Sequence, residues 1–263
     1  MKAFRRHSEL RKVLGFPLLL IFWGAFPSFG QEVGGDSSTG WPGLPASVQR
    51  LQVVEHWAYA LGYDERFEQA AWTQHMICRA TCGVRAVERS DNFRADPKVR
   101  TGSAGPKDFS GSGYDRGHLA PAADFAWSAR AMSESFFMSN MSPQTPGFNR
   151  GIWKQLEEAV RDWACSRDTL YVISGPILTE DLDELGSGVA IPDWYFKVIY
   201  DPSPTPTAIA FLLRNASGTP PLSRYAVSID EVESRTGLDF LPLLPEEIER
   251  ELEQMPAPVR KWF

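Results

Sequence analysis

The chain offers no second pair of cysteines or histidines spaced to close a zinc site around Cys78 and Cys82, which removes the structural zinc modules from consideration. It has only three cysteines and four histidines. Internal repeats and long low-complexity tracts are also missing, which excludes solenoids and disordered tails. An excess of positive charge is absent: the net charge is −6, and without residues 1–30 it falls to −10, from 22 basic against 32 acidic side chains. Binding of nucleic acid by the whole surface through charge alone is thereby excluded. No segment beyond the N-terminus is apolar for long enough to span a membrane.

The N-terminus reads as a processing signal. Lys2, Arg5, Arg6, Arg11 and Lys12 precede an apolar run from Val13 to Phe26, and Ser28-Phe29-Gly30 supplies small residues for cleavage before Gln31. An uncleaved anchor is the rival reading, but the run is short of the ~20 residues a span requires and contains Pro17. We therefore expect a signal peptide at 1–30, a flexible Gly/Ser/Pro-rich lead-in at 31–48, one domain at 49–263, and a secreted or periplasmic product. No stable membrane partner is expected unless the leader stays attached. Export permits disulfides. Cys78 and Cys82, four apart, are the expected small-loop pair, with Cys165 left over and buried near a helix end.

With 43% apolar and 12% aromatic residues the chain can fill a core. Strand-like runs fall at 53–61, 71–77, 114–119, 137–141, 169–174, 194–200, 207–213 and 225–229. Helical patterns fall at 122–136, 149–164, 230–236 and 245–255. The long polar stretch 88–113 reads as a functional loop. Strands and helices mix without regular alternation, so the expected class is α+β, with a mostly antiparallel central sheet flanked by helices.

Charge is uneven. Residues 79–116 carry eight basic groups against five acidic ones, whereas 230–263 carry nine acidic against four basic. The basic stretch runs into Gly113-Tyr114-Asp115-Arg116-Gly117-His118-Leu119-Ala120-Pro121, and Asn149 follows 31 residues after His118. Hydrolysis of a phosphodiester needs an activated water, charge stabilisation at the phosphoryl oxygens and help for the leaving oxygen. A histidine suits the first task near neutral pH. Arginine and an oxygen-ligated divalent cation suit the others.

Asp115-Arg116-Gly117-His118, with Asn140-Met-Ser-Pro-Gln144 and Asn149-Arg-Gly-Ile-Trp-Lys-Gln-Leu-Glu157 downstream, resembles the DNA/RNA non-specific endonuclease family. That family includes secreted bacterial sugar-non-specific nucleases and mitochondrial endonuclease G. Tyr171-Val-Ile-Ser-Gly-Pro176, Ile191-Pro-Asp-Trp-Tyr-Phe-Lys-Val-Ile199 and Val227 to Leu238 extend the resemblance over residues 50–250. It implies a ββα-metal motif and cleavage of DNA and RNA with little sequence preference, leaving 5′-phosphate ends. It further implies His118 as general base, Asn149 as the direct Mg²⁺ ligand (with Mn²⁺ as a substitute), and Glu157 acting through metal-bound water. Arg161 and Arg116 would meet phosphate, and Asn140 would support the histidine or its water. Asp115 would brace the strand or an arginine. An upstream arginine is expected before Phe93-Arg94-Ala95-Asp96-Pro97; Asp91 stands where some relatives have it, and Arg89 is favoured over Arg94.

The ordinary readings stand beside these. His56 and His75 read as structural residues without partners, Glu157 with Arg161 as a plain helix ion pair, and Trp127, Trp153, Trp163 and Trp194 as core. Lys197 could touch phosphate. A narrower phosphodiesterase, a toxin-like nuclease and a non-catalytic nucleic-acid binder remain as alternative functions, and a homodimer is compatible with all of them.

Overall fold

The computed structural model describes residues 42–254 and 259–263; the leader and its expected cleavage point lie outside the described residues. The described residues open with β1 (Ala46–Ser47), β2 (Gln52–Glu55), β3 (Tyr59–Asp64) and β4 (Gln69–Cys78). After the long loop come β5 (Asp115–His118), α1 (Ala129–Glu134) and β6 (Met141–Gln144). A π-helical segment, Phe148–Trp153, leads into α2 (Lys154–Ser166). Next are β7 (Thr169–Pro176), β8 (Glu184–Leu185), β9 (Val189–Ala190), β10 (Trp194–Asp201) and β11 (Thr207–Arg214). The last elements are β12 (Ala226–Val227), α3 (Ile229–Thr236), β13 (Leu238–Asp239) and α4 (Glu246–Gln254).

The centre is a seven-stranded sheet in the order β12-β11-β10-β7-β4-β3-β2, and every pairing in it is antiparallel. Side chains alternate across a strand. On β10, Tyr195 and Ile199 join the core beneath α2, while Phe196, Val198 and Tyr200 join the core beneath α3. On β11, Ile209, Phe211 and Leu213 take the first face and Ala208, Ala210 and Leu212 the second. Burial on both faces explains why these strands read as nearly unbroken apolar runs. The α2 side is closed by Trp153, Leu156, Val160 and Ala164, spaced to share one helix face. The other side is closed by Ile229 and Val232 of α3. Ser228 caps α3 by accepting from the Glu231 amide, and Gly237 ends it at φ +66, where the absence of a Cβ is needed.

The α+β class stands, and several boundaries move. The run 53–61 is two strands, β2 and β3, with a break at His56. Residues 122–136 form a 3-10 turn and then α1, because Ser128 starts a new helix by capping Ala131. The strand expected at 137–141 lies instead at Met141–Gln144. It contains Pro143, which it tolerates because β6 pairs on one side only, with β5. The strand at 225–229 shrinks to Ala226–Val227. The described end of the lead-in is not free: Ala46 and Ser47 pair with Asp239 and Leu238, and Gly43 accepts from Gln74 Nε2.

The disulfide is also different from the expected one. Cys82 bonds Cys165, with Cα atoms 5.5 Å apart, and Cys78 is free. The amides of Thr81 and Cys82 both donate to the Cys78 carbonyl, forming a turn that carries Cys82 away from Cys78 to the end of α2. Cys165 is exposed, not buried. Closing 83 residues in the unfolded chain is worth about 4.5 kcal/mol in the loop-entropy model. Cys82→Ser should therefore lower stability in urea unfolding by that order under oxidising conditions, and Cys78→Ser should change it little.

Candidate active site

β5 and β6 run antiparallel, pairing Asp115 with Gln144, Arg116 with Pro143, Gly117 with Ser142 and His118 with Met141. This ribbon is bolted to the central sheet. Ser142 Oγ donates to Gln69 Oε1 at 2.5 Å and lies 2.7 Å from the Tyr195 hydroxyl, which in turn donates to the Pro143 carbonyl. Gly117 is required by a close approach: a Cβ there would lie 2.2 Å from the side chain of Gln144. Gln144 is fully buried and both its amide atoms lack partners, an uncommon state for a polar group and one expected next to chemistry.

On the opposite side of β5, Arg116 and His118 face two phenylalanines. The His118 ring packs edge-on against Phe136 at 4.9 Å and tilts against Phe93 at 5.9 Å. Arg116 lies over Phe93 at 4.7 Å and Arg89 over Phe136 at 4.8 Å. Three expected site residues thus gather around one aromatic pair. Burial, with Arg89 adding to it, pulls the His118 imidazole down to about 3. It is neutral at neutral pH, and its buried Nε2 has no hydrogen-bond partner. Arg89 is further held by Asp91, which adopts φ +47 to reach it at 2.7 Å. Arg94 is occupied elsewhere, donating to the Asn92 and Ser133 carbonyls.

Asn149 lies in the π-helical segment, a distortion found often at functional sites, and the chain kinks two residues on at Gly151. Its Nδ2 donates to Asp115 Oδ2 at 2.9 Å, and Arg150 brackets the same carboxylate. Although burial opposes it, Arg150 and Asn149 hold Asp115 below the usual carboxylate range. An ionised carboxylate only accepts, so this bond fixes the amide and leaves Oδ1 as the atom able to meet a cation. Of the two expected roles, bracing the strand or bracing an arginine, Asp115 takes the second with Arg150, and it also holds Asn149.

A second cluster lies along α2. Arg161 donates to Asp124 Oδ1 at 2.9 Å, and His75 Nε2 lies 2.9 Å from Asp124 Oδ2. Burial alone would raise Asp124, but His75 and Arg161 hold it low. Glu157 forms no ion pair with Arg161 and no hydrogen bond among the described residues, so the plain helix-pair reading fails. Burial raises Glu157, and Lys197 and Arg161 oppose that rise. Lys197 is buried: it donates to Ser174 Oγ, sits 4.4 Å from the Trp153 ring centre, and is lowered by burial against the pull of Glu157. Trp153 joins the two clusters, because its indole N–H donates to the His118 carbonyl at 3.4 Å. Oxygen donors with open positions, Asn149 Oδ1 and the Glu157 carboxylate, suit a hard divalent cation that keeps water in its shell.

Asn140 stands behind the site. It is fully buried, exchanges hydrogen bonds with both backbone groups of Ala120, and donates to the Ser135 carbonyl. It therefore fixes the segment after His118 and touches no open space. His56 and His75 are structural in burial, but they do have partners: His56 meets Asp96 at 2.9 Å and His75 meets Asp124. Trp153 is core; Trp127 and Trp163 pack partly buried against its cluster, and Trp194 against the core on the other face of the sheet.

The sequence model of the DNA/RNA non-specific endonucleases matches residues 39–247. A nuclease from Nostoc sp. is 35% identical over 74% of this chain and 75% of its own length. Human mitochondrial endonuclease G is 33% identical over 76% of this chain and 72% of its own length. Among solved structures, the EndoG/EndoGI complex, described as showing the mechanism of EndoG inhibition, superposes with a TM-score of 0.69 at 30% identity. It covers 79% of this chain and 90% of that one.

Proposed function

The chain belongs to the DNA/RNA non-specific endonuclease family, and from that footing we propose how this hydrolytic endonuclease works: His118 as base, and a divalent cation, Mg²⁺ first and Mn²⁺ as substitute, held by Asn149. The observation that carries the reading is the neutral His118 with its free Nε2, on the same short strand as the carboxylate that orients Asn149.

His118 Nε2 takes a proton from the attacking water as its oxygen bonds to phosphorus. The bond from phosphorus to O3′ breaks, its electron pair goes to O3′, and that oxygen takes a proton from solvent water, leaving a 5′-phosphate and a 3′-hydroxyl. A bound phosphodiester is negative and favours imidazolium, so the imidazole becomes more basic when substrate is present. Arg116 and Arg89 stabilise the phosphoryl charge from the aromatic side. A divalent cation held there would supply charge neutralisation for the reacting phosphodiester. Asn149 would hold the cation through the amide oxygen that Asp115 leaves open, Glu157 would act on its water, and Arg161, pinned by Asp124, presents positive charge to the backbone. In this reading each group acts on phosphate or water and none on a base edge, so cleavage of both DNA and RNA with little sequence preference is expected, in keeping with the family.

The test is a metal series on purified protein with plasmid DNA, single-stranded DNA, RNA and a small diester. Cleavage of all the polymers with Mg²⁺, stopped by EDTA, is expected. Binding without cleavage, or hydrolysis of the small diester alone, would refute the reading. Asp115→Ala should raise the Mg²⁺ concentration needed for half-maximal rate by about 10–100-fold, the usual cost of losing a group that orients a ligand.

The leader supports export, with cleavage before Gln31 as the expected event. The mitochondrial relatives give a second reading, in which residues 1–30 address that organelle. N-terminal sequencing of the mature protein and fractionation of the cells that make it separate the two.

A further inference from the structure

Far along the sequence from the site described above, five carboxylates meet where α3, β13 and α4 come together. Asp230, Glu233 and Glu253 each offer an oxygen within 4.8 Å of the others, and so do Asp239, Glu249 and Glu253. The helical spacings set this up. Asp230 and Glu233 are three apart on α3, Glu249 and Glu253 four apart on α4, so each pair shares a helix face. Burial deepens inward: Asp230 and Asp239 are exposed, Glu233 and Glu249 half-buried, and Glu253 buried.

An acidic cluster alone would be an ordinary solvated face. Glu253 makes this one different, because it is only 9% exposed and its buried Oε1 has no hydrogen-bond partner. None of the five carboxylates enters an ion pair among the described residues. The nearby Arg235 is committed to Glu231. Glu233 accepts from the Phe240 amide through Oε1, which fixes that side chain against the cluster. The site also repels itself: burial first, then Glu233, Glu249, Asp239 and Asp230, pushes Glu253 up to about 8.

The helix that carries Glu253 has little else to hold it. Five of the nine residues of α4 are glutamate. Its two aliphatic side chains are Ile248, 36% exposed, and Leu252, which packs only partly buried. Turning so acidic a helix toward Asp230, Glu233 and Asp239 is costly without a counter-charge.

We propose that this seam is a structural site for one hard divalent cation, Ca²⁺ by chemistry, with Glu253 as the ligand common to both triads. Ca²⁺ takes six to eight oxygens at about 2.3–2.6 Å in irregular geometry, so oxygens on opposite sides of it lie up to about 5 Å apart. The observed spacing falls inside that span. All donors are carboxylate oxygens, with neither the nitrogen nor the sulfur that would favour zinc. Bound there, the ion pins the C-terminal helix to α3 and takes no part in phosphodiester cleavage.

Thermal melting of the full purified chain, stripped with EDTA and then titrated with CaCl₂, tests this. For a site of ~10 µM affinity, 1 mM Ca²⁺ should raise Tm by about 5 °C. The rise should persist in Asn149→Ala, which lacks the proposed catalytic ligand. It should be lost in Glu253→Gln and reduced at least tenfold in Ca²⁺ affinity in the surface variant Asp230→Asn/Asp239→Asn, whose fold is not at risk. No Ca²⁺-dependent rise in the parent protein would overturn the proposal, as would a rise equal in Glu253→Gln or one abolished by Asn149→Ala. If Glu253→Gln raises Tm without Ca²⁺ while the parent ignores the ion, the seam shares protons instead, and the cation site is refuted.

Discussion

His118→Ala is expected to lower turnover on supercoiled plasmid by roughly 10²–10⁴-fold, the usual worth of a positioned general base, while affinity for nucleic acid stays close to that of the parent. Nicking rates and filter binding measure the two separately. The split follows from the geometry: the imidazole sits between Phe93 and Phe136 with one nitrogen unpartnered, whereas Arg116 and Arg89, which carry the charge, are held by those rings independently of it. Unchanged turnover would remove His118 from the mechanism. Stability should report on the same residue. Its folded pKa of about 3 lies below the ~6.5 of an unfolded histidine. Between those values the unfolded chain binds a proton that the folded chain refuses. The contribution of His118 is therefore fully present above pH 6.5 and lost as pH falls toward 3, at up to about 1.4 kcal/mol per pH unit. His118→Ala should lose less stability than the parent between pH 7 and pH 4.

Asn149→Ala should cost several kcal/mol of transition-state stabilisation, or about 10²–10³-fold in rate at saturating Mg²⁺, if its carboxamide is the protein's direct hold on the cation. The measurement is rate against Mg²⁺ concentration, with calorimetry of Mg²⁺ binding alongside. Asn149→Asp is the informative companion. It restores an oxygen ligand but cannot donate to Asp115, and it sets a second carboxylate against the first. It should recover part of the rate only at raised Mg²⁺. Equal rates for the parent and Asn149→Ala across the series would place the cation elsewhere.

The fold class and the neighbourhood of the candidate residues were both legible in the sequence. Asp115, Arg116, His118 and Asn149 stand out because each supplies a scarce chemical role within a short span, and the fold does bring the strand and the helix start together. The class of sheet was legible too, since two-sided burial leaves long apolar runs such as 194–200 and 207–213. Partners distant in sequence were not. Nothing near His75 announces Asp124, and nothing near Asp124 announces Arg161; that chain of contacts exists only after β4 and α2 pack. Proximity in sequence misled for the cysteines, where a tight turn at Cys78 sends Cys82 to a residue 83 positions on. Glu157 and Arg161 share a helix face but not a bond, so the ordinary ion-pair alternative for them drops out. Asn140 was visible as a motif residue, but whether it faces the cleft depends on backbone geometry that composition does not encode.

The Cys82–Cys165 bond encloses β5, β6, Asn149, Glu157 and Arg161 within one covalent ring. A protease that cuts once in the exposed stretch around 84–90 would therefore release nothing. The two fragments would travel as a single species on a gel until a reductant is added.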